Sequence, residues 1–503
     1  MSITGPGSIT ALNIQTVNNM NNQLNTLSTE LGTNQAAQTY SGLGSQAGVA
    51  LALNAQLSAI NGYSATATTV GTTLTVAQST LTQLGSSGTS VEQAISQQGA
   101  FNLNNNGQTT VQAGAAAQLD EVLSLLNTQV GDNYIFSGSA TTQASVASSS
   151  QILNGNGAQA GLTQVIAQRL QADQGANGLG RLVIPAASGS TVSISEDAAN
   201  SPFGFKLGSV NSSLTGATVT GPSGSPASVS VNLGANPNPG DSIAFDLTLP
   251  DGSTQTITLQ ATTASPAGAN QFTIGATAAN TATNLQAALT TAVGTLDQTA
   301  LPAASAMAAA NNFFSSNPPL RVGGPPYDTA TSLVNGTPAN TVSWYTGENG
   351  STPARQTATA QVGPSMSIAY GMRANEQAIT TLVSNVAVLA ATTYSASDPN
   401  AAASYQALSN DVAGNLDGKP GTQTVSDIEA DLASAQTTVA NAGTLNTQTQ
   451  TTLQDMLQNI DGVNQNQIGE QILTLQNSLS ASLSVTARMA QISLVNFLAP
   501  STG

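Results

Sequence analysis

The chain has 503 residues, and 24 acidic against 8 basic side chains leave it a net charge of −16. It contains no His and no Cys, which removes the Ser-His-Asp triad, the Cys-His pair, thiolate or imidazole metal sites and disulfides, while so few cations give no basic face for nucleic acid. Only 6% of residues are charged, and beyond the hydrophobic 40%, 47 Gly and 20 Pro the remainder is Ser, Thr, Asn and Gln. No apolar run is long enough for a bilayer, and the opening MSITGPGSIT lacks the basic and apolar regions of a cleavable signal, so a soluble chain with no membrane insertion and no cleavable leader is expected.

From Asn13 to Leu31 the apolar residues Ile14, Val17, Met20, Leu24, Leu27 and Leu31 recur every three or four positions, which predicts a helix with one narrow apolar stripe. The pattern resumes at Ser45 and runs through Leu53, Leu57, Ile60, Val70, Leu74, Leu81, Leu84, Val91 and Ile95. No charged residue lies between Leu31 and Val91, so packing rather than ion pairs between turns must hold this long helix. The Asn-Gly turn of FNLNNNGQ (101–108) introduces a third helix over 111–134, antiparallel to the second, with Leu119, Val122, Leu123 and Leu126 on its stripe. Tyr134-Ile-Phe-Ser-Gly138 reads as a short strand or sharp turn.

Near Gly180 the composition changes. Period-two alternation in TVSIS (191–195), VSVNL (229–233), SIAFDLTL (242–249) and TQTITLQ (254–260) predicts strands. Asp251-Gly252 between two of them predicts a hairpin that sets Ile243, Phe245, Leu247 and Leu249 across from Ile257 and Leu259. A helical stripe at Leu285, Leu289, Val293 and Leu296 and an Ala-rich helix over 303–314 complete an α+β insertion spanning 185–335. Beyond the Pro-rich 317–326, TVSWYTGENGS (341–351) and TATAQVGPSMSIAYG (357–371) read as the strands of a hairpin. Helices follow over 376–394, 404–416 and 426–459, the last with Ser426 and Glu429 as a capping box. The final stripe passes through Ile468, Ile472, Leu475, Leu479 and Leu483 and continues less regularly to Leu494 and Phe497.

The expected fold class is mainly α with an α+β insertion: long terminal helices in a coiled-coil-like bundle, β-hairpins, and a central domain. The two narrow stripes lie at opposite ends of the chain. A lone helix with such a stripe is marginal in water, and each Leu or Ile contributes about 1.5–3 kcal/mol when buried. Pairing the ends gives a coiled-coil-like unit whose outer surface packs against copies of itself without desolvating charges. The thirteen stripe residues, Ile14 to Leu31 and Ile468 to Phe497, are therefore the candidate helix-pairing and polymerisation residues. An ordinary intramolecular core and a stalk carrying an adhesive β-rich middle are the rival readings.

Other groupings point to no chemistry. Asp427, Glu429 and Asp431 read as acids at a helix N-terminus, Glu196-Asp197 and Asp120-Glu121 as solvated surface, and Asp241, Asp246 and Asp251 as turn residues without calcium-loop spacing. GLGSQAG (42–48) and GNGAQAG (155–161) place the third Gly one position too late for a dinucleotide fingerprint. No catalytic, cofactor-binding or metal-binding residue is expected, and the protein reads as a non-enzyme.

Four segments resemble bacterial flagellins and the related hook-associated protein that joins hook to filament. LNTLSTELGTNQA (24–36) is similar to the Leu-rich stretch that ends in a turn, and GDNYIFSGS (131–139) to the aromatic-Gly motif closing the second helix, most of all in the junction protein. WYTGENG (344–350) with IAYGMRANEQAI (368–379) resembles the entry to the C-terminal helices, and GEQILTLQNSLSASLSVTARMAQISLVNFL (469–498) the terminal helix, its ending nearer the junction protein. The resemblance covers roughly the first 180 and last 160 residues. It implies polymerisation helices at 1–31 and 464–503, two halves of a helical rod at 32–184 and 336–463, and an outer variable domain at 185–335. It further implies export through the flagellar type III channel to the cell exterior, assembly into a homopolymer for motility, and adjoining axial proteins, a cap and an export chaperone as partners.

Overall fold

The structure is a computed structural model that describes the backbone of residues 6–497 and the side chains of 11–489 and 491. It is 52% helical, with long N- and C-terminal helices packed together and small sheets inserted centrally, which is the expected fold class. In chain order, α1 (Pro6–Thr33), α2 (Ala47–Ser96) and α3 (Thr110–Leu126) lead to the two-residue strands β1 (Gln129–Val130) and β2 (Asn133–Tyr134) and to α4 (Ser149–Asn154) and α5 (Leu162–Gln174). The insertion contributes β3 (Leu182–Val183), β4 (Thr191–Glu196), β5 (Lys206–Ser212), β6 (Ala217–Ser223), β7 (Ser228–Leu233), β8 (Ser242–Thr248), β9 (Thr254–Thr262), β10 (Gln271–Thr273), α6 (Ala278–Gln298) and α7 (Ala300–Ser315). After β11 (Leu320–Val322) and β12 (Leu333–Asn335) come β13 (Thr359–Gly363), β14 (Met366–Ala369), α8 (Gln377–Ala391), α9 (Ala401–Leu416), α10 (Val425–Asp461) and α11 (Gln465–Phe497). Among the described residues, no helix is long and apolar enough to cross a membrane.

The chain divides into two compact units. The first takes the chain ends, up to Val70 and from Thr437, with Ala360–Ile368; the second takes Gly71–Thr359 and Ala369–Gln436. In the first unit α1 packs along α11, and Leu53 and Ile60 of α2 close on Leu453 of α10 with Leu57, Tyr63 and Ile460 around them. The β13–β14 hairpin joins this layer where the buried Asn446 side chain donates to the Val362 carbonyl at 2.8 Å.

In the second unit Leu74, Ala77, Leu81 and Leu84 of α2 are fully enclosed, a heptad row with α8 close by. A Cβ on Gly88 would stand 3.2 Å from Leu382, so the small residue lets the two helices approach. Thr109 and Gln112 form a capping box on α3, and the Gln112 amide also donates to the Thr392 carbonyl at 2.8 Å. The insertion builds two four-stranded sheets, ordered β3-β4-β7-β6 and β10-β9-β8-β5, whose inner side chains merge with those of α6 in one core around Phe245, Leu247, Leu285 and Leu289. The β8–β9 hairpin has the expected register, Ile243 opposite Leu259 and Phe245 opposite Ile257.

Several expectations shift. The second hairpin forms within 357–371, between β13 and β14, whereas 341–351 contributes only isolated bridges such as Val146 to Tyr345. The cap of α10 is Thr424, whose hydroxyl accepts from the Asp427 N–H while Asp427 accepts from the Thr424 N–H; Glu429 instead accepts from the Thr82 hydroxyl of α2 at 2.9 Å. Asp197 is exposed, as expected of a solvated surface, but Glu196 is half-buried, and both meet basic side chains. Asp197 lies 2.7 Å from Arg181 and Glu196 3.7 Å from Lys206, beside the buried Arg169–Asp173 pair at 2.7 Å, all at the base of the insertion.

Candidate assembly surface

The surface begins with the turn that joins the helices of the first unit. Gln35 bridges Gly462 in antiparallel fashion, the Ala36 N–H donates to the Asp461 carbonyl, and the Gln465 amide reaches Asn34. From this point α1 and α11 run antiparallel along each other, and a cleft of about 830 Å³ with Leu27 and Leu475 among its lining residues lies between them.

The pairing follows a heptad rather than the plain apolar stripe. In α11 the residues turned inward are Ile468, which is buried, and Ile472, Leu475, Leu479, Ser482, Thr486 and Met489, which are half-buried; their alternating steps of three and four keep the 3.5-residue phase of a left-handed coil. Leu483 breaks that phase and is 50% exposed, so its assignment to the seam is corrected. In α1, Val17, Met20, Leu24 and Leu27 are half-buried along with Asn13 and Glu30. Ile14, at the end of two successive three-residue steps, lies about 120° around the helix from Met20 and is 53% exposed, so it too leaves the seam. Leu31 keeps the phase but sits at the end of the helix, where it is 37% exposed. The side chains of Leu494 and Phe497 lie outside the described residues. Sequence reading missed Ser482, Thr486 and Met489; the signal that finds them is heptad phase, not apolarity.

Even where it pairs, the seam is only half closed, and the unit that holds it exposes further apolar side chains. Of thirteen large apolar side chains exposed among the described residues, eleven belong to this unit: Leu12, Ile14, Leu31, Tyr40, Val49, Leu51, Leu445, Met456, Leu473, Leu483 and Val485. Between them stand hydroxyls that are already satisfied. Thr16, Thr26, Thr29 and Thr33 of α1, and Thr474, Ser478, Ser484 and Thr486 of α11, each donate to the carbonyl four residues back. With its one donor used, such a threonine shows a neighbour its methyl and a lone pair, so covering it strands no hydrogen and avoids the penalty of a buried unpaired donor. These hydroxyls can be dehydrated cheaply although they are polar.

A second convergence lies in the other unit. The 131–139, 344–350 and 368–379 segments meet at Ser137: the Glu348 N–H donates to the Ser137 carbonyl, the Gly138 N–H to Met372 and the Ala374 N–H to Phe136. Gly138 has φ +65°, and a Cβ there would stand 2.8 Å from the Glu348 carboxylate, so a larger residue would be strained in its backbone and would displace the Glu348 side chain. No protein-family model matches the sequence, and no curated protein is significantly similar to it.

Proposed function

We propose that the chain is a non-enzymatic structural subunit of the bacterial flagellum, a flagellin that is secreted and self-assembles through its paired terminal helices to build the filament for motility. The observation that carries this reading is the pairing of the two chain ends into a half-closed seam, in a unit with eleven exposed apolar side chains. Exposed apolar side chains concentrated in one unit favour an interaction surface, and copies of the same chain supply matching helices. The convergence of three resemblance-bearing segments at Ser137 supports the same family. By that resemblance the partners are further copies, adjoining axial proteins, a cap and an export chaperone.

Removing 1–31 or 464–503 abolishes polymerisation, seen by electron microscopy of the purified protein, while the circular dichroism of the remaining fold persists. Filaments from either truncated chain would refute the reading. A second reading, the hook–filament junction protein, is favoured by GDNYIFSGS (131–139) and by the ending of the last helix; short rings in place of long filaments would select it.

A further inference from the structure

We propose that the second unit carries a binding site for a neutral oligosaccharide, in the cleft of about 580 Å³ where the end of α7, the start of α8 and the 344–349 segment meet. All three belong to that unit, and the site does not depend on the assembly reading. Its volume falls within the ordinary range of small-molecule sites.

Helical spacing builds two of the walls. Asn311, Phe314 and Ser315 lie three and four positions apart at the end of α7, and Gln377, Thr380, Thr381 and Ser384 continue the same spacing over the first two turns of α8, so each set shares one face. Phe314 and Tyr345 flank Trp344 at ring distances of 5.3 and 6.1 Å, and the indole N–H donates to the Phe314 carbonyl at 2.8 Å. All three rings are nearly enclosed, so the wall they form is ordered before any ligand arrives.

The polar lining consists of five carboxamides, Asn311, Asn317, Asn349, Asn375 and Gln377, together with hydroxyls, and none of the described residues lining the cleft is charged. Much of this capacity is unspent. Among the described residues the side chains of Asn311, Ser315, Ser316, Gln377 and Thr380 make no hydrogen bond within the protein, and Asn317 uses only its oxygen, which accepts from Ser343. A carboxamide sets a donor beside an acceptor, matching the two roles of neighbouring sugar hydroxyls, while the C–H faces of a sugar ring suit an aromatic wall. Other ligand classes fit less well. An anion meets no cation in the lining, a cation meets no carboxylate, and an apolar ligand would strand the amides it covers.

Trp344 is the only tryptophan in the chain, so its fluorescence reports on this cleft alone. Titrating the full chain with maltotriose or triacetylchitotriose, against glycerol at equal mass, should change that emission saturably with a Kd of about 0.1–10 mM. Asn311→Ala and Gln377→Ala, both at exposed positions, each raise that Kd about three- to tenfold and leave the melting temperature unchanged. A flat emission up to about 100 mM of either sugar, together with no saturation transfer from protein to sugar by NMR, would overturn the proposal, as would a Kd that both variants leave unaltered. A blocked neutral peptide, acetyl-Asn-Gly-Ser-amide, that binds more tightly than both sugars would also overturn it and mark the cleft as a peptide site. None of these results bears on polymerisation, which the assembly reading alone predicts.

Discussion

The helix α2 serves two environments. In the second unit its Leu74, Leu81 and Leu84 are fully enclosed, whereas in the first its Val49 and Leu51 are 50% and 58% exposed. The residues are of the same kind and the helix is continuous, so propensity does not set the difference; the number of layers does. The second unit surrounds its helices with α3, α8 and the Ala-rich α7, and its insertion closes two sheets and α6 on one core. The first unit is built from helix pairs and one hairpin, which leaves the α1–α11 seam half-buried and Val49 and Leu51 open even though Leu53 and Ile60 of α2 still close on α10. A helical pair can fix which residues meet without enclosing them, and closure then falls to whatever packs alongside.

The contrast is broken most directly by the same kind of truncation in each unit. Phe245→Ala in the sheet core costs about 3–5 kcal/mol, read as a lowered urea midpoint. Leu24→Ala, at a half-exposed seam position, costs the monomer less than about 1 kcal/mol and acts instead on polymerisation. Equal losses of monomer stability at the two sites would mean that the seam is as closed as the core.

Titration gives a smaller effect confined to the second unit. Burial raises the Asp297 carboxyl to about 6 even though the Gly180 N–H and the Gln174 amide favour its charged form. Asp411 is raised to about 6 by burial and by repulsion from Asp251, against the pull of Lys419. Both native values exceed the ordinary 3.8, so between about pH 4 and 6 the native state holds protons that the unfolded chain has released. Stability from these groups therefore rises as pH falls from 7 toward 5 and is lost as pH climbs through 6. The gain is about 1–2 kcal/mol for the two together, solvent screening at the half-exposed Asp411 reducing its share. Denaturation at pH 7 and pH 5 should show it, and the double variant Asp297→Asn, Asp411→Asn should flatten it. Since burial opposes the charge at both sites, that variant is also the more stable protein at pH 7.

Much of the second unit was legible because burial imposes periodicity. The alternation of SIAFDLTL and TQTITLQ fixed a hairpin register that the structure reproduces, with Phe245 across from Ile257. β5 and β6 left no such trace: they lie at sheet edges, where most of their residues stay at least partly exposed and no face is obliged to be apolar. The α10 cap was displaced by two residues because Thr424–Asp427 and Ser426–Glu429 both satisfy the spacing, and only the Thr82 hydroxyl, 347 positions away, engages Glu429. At the assembly surface the middle of each stripe was readable and its ends were not. Ile14 and Leu483 are apolar and helically spaced, but a coil selects for phase over a whole helix, and polar residues at Asn13 and Ser482 occupy the positions that phase requires.

Ser482 offers the finest test of that phase. Equal rises along the two antiparallel helices, counted from the contact of Gln465 with Asn34, put Ser482 level with Val17. A leucine there would extend the row of Ile472, Leu475 and Leu479 by one heptad step and face an apolar partner. Ser482→Leu should therefore stabilise the α1–α11 pair by about 1 kcal/mol, roughly half the value of a fully buried leucine, seen as slower amide exchange in both helices of the monomer. Leu483→Ser, one residue on, should leave that exchange nearly unchanged, because its side chain is already 50% exposed. If the responses were reversed, with Leu483 mattering and Ser482 silent, the pair would be following the straight 3.6-residue stripe, and the half-closed seam would face in another direction.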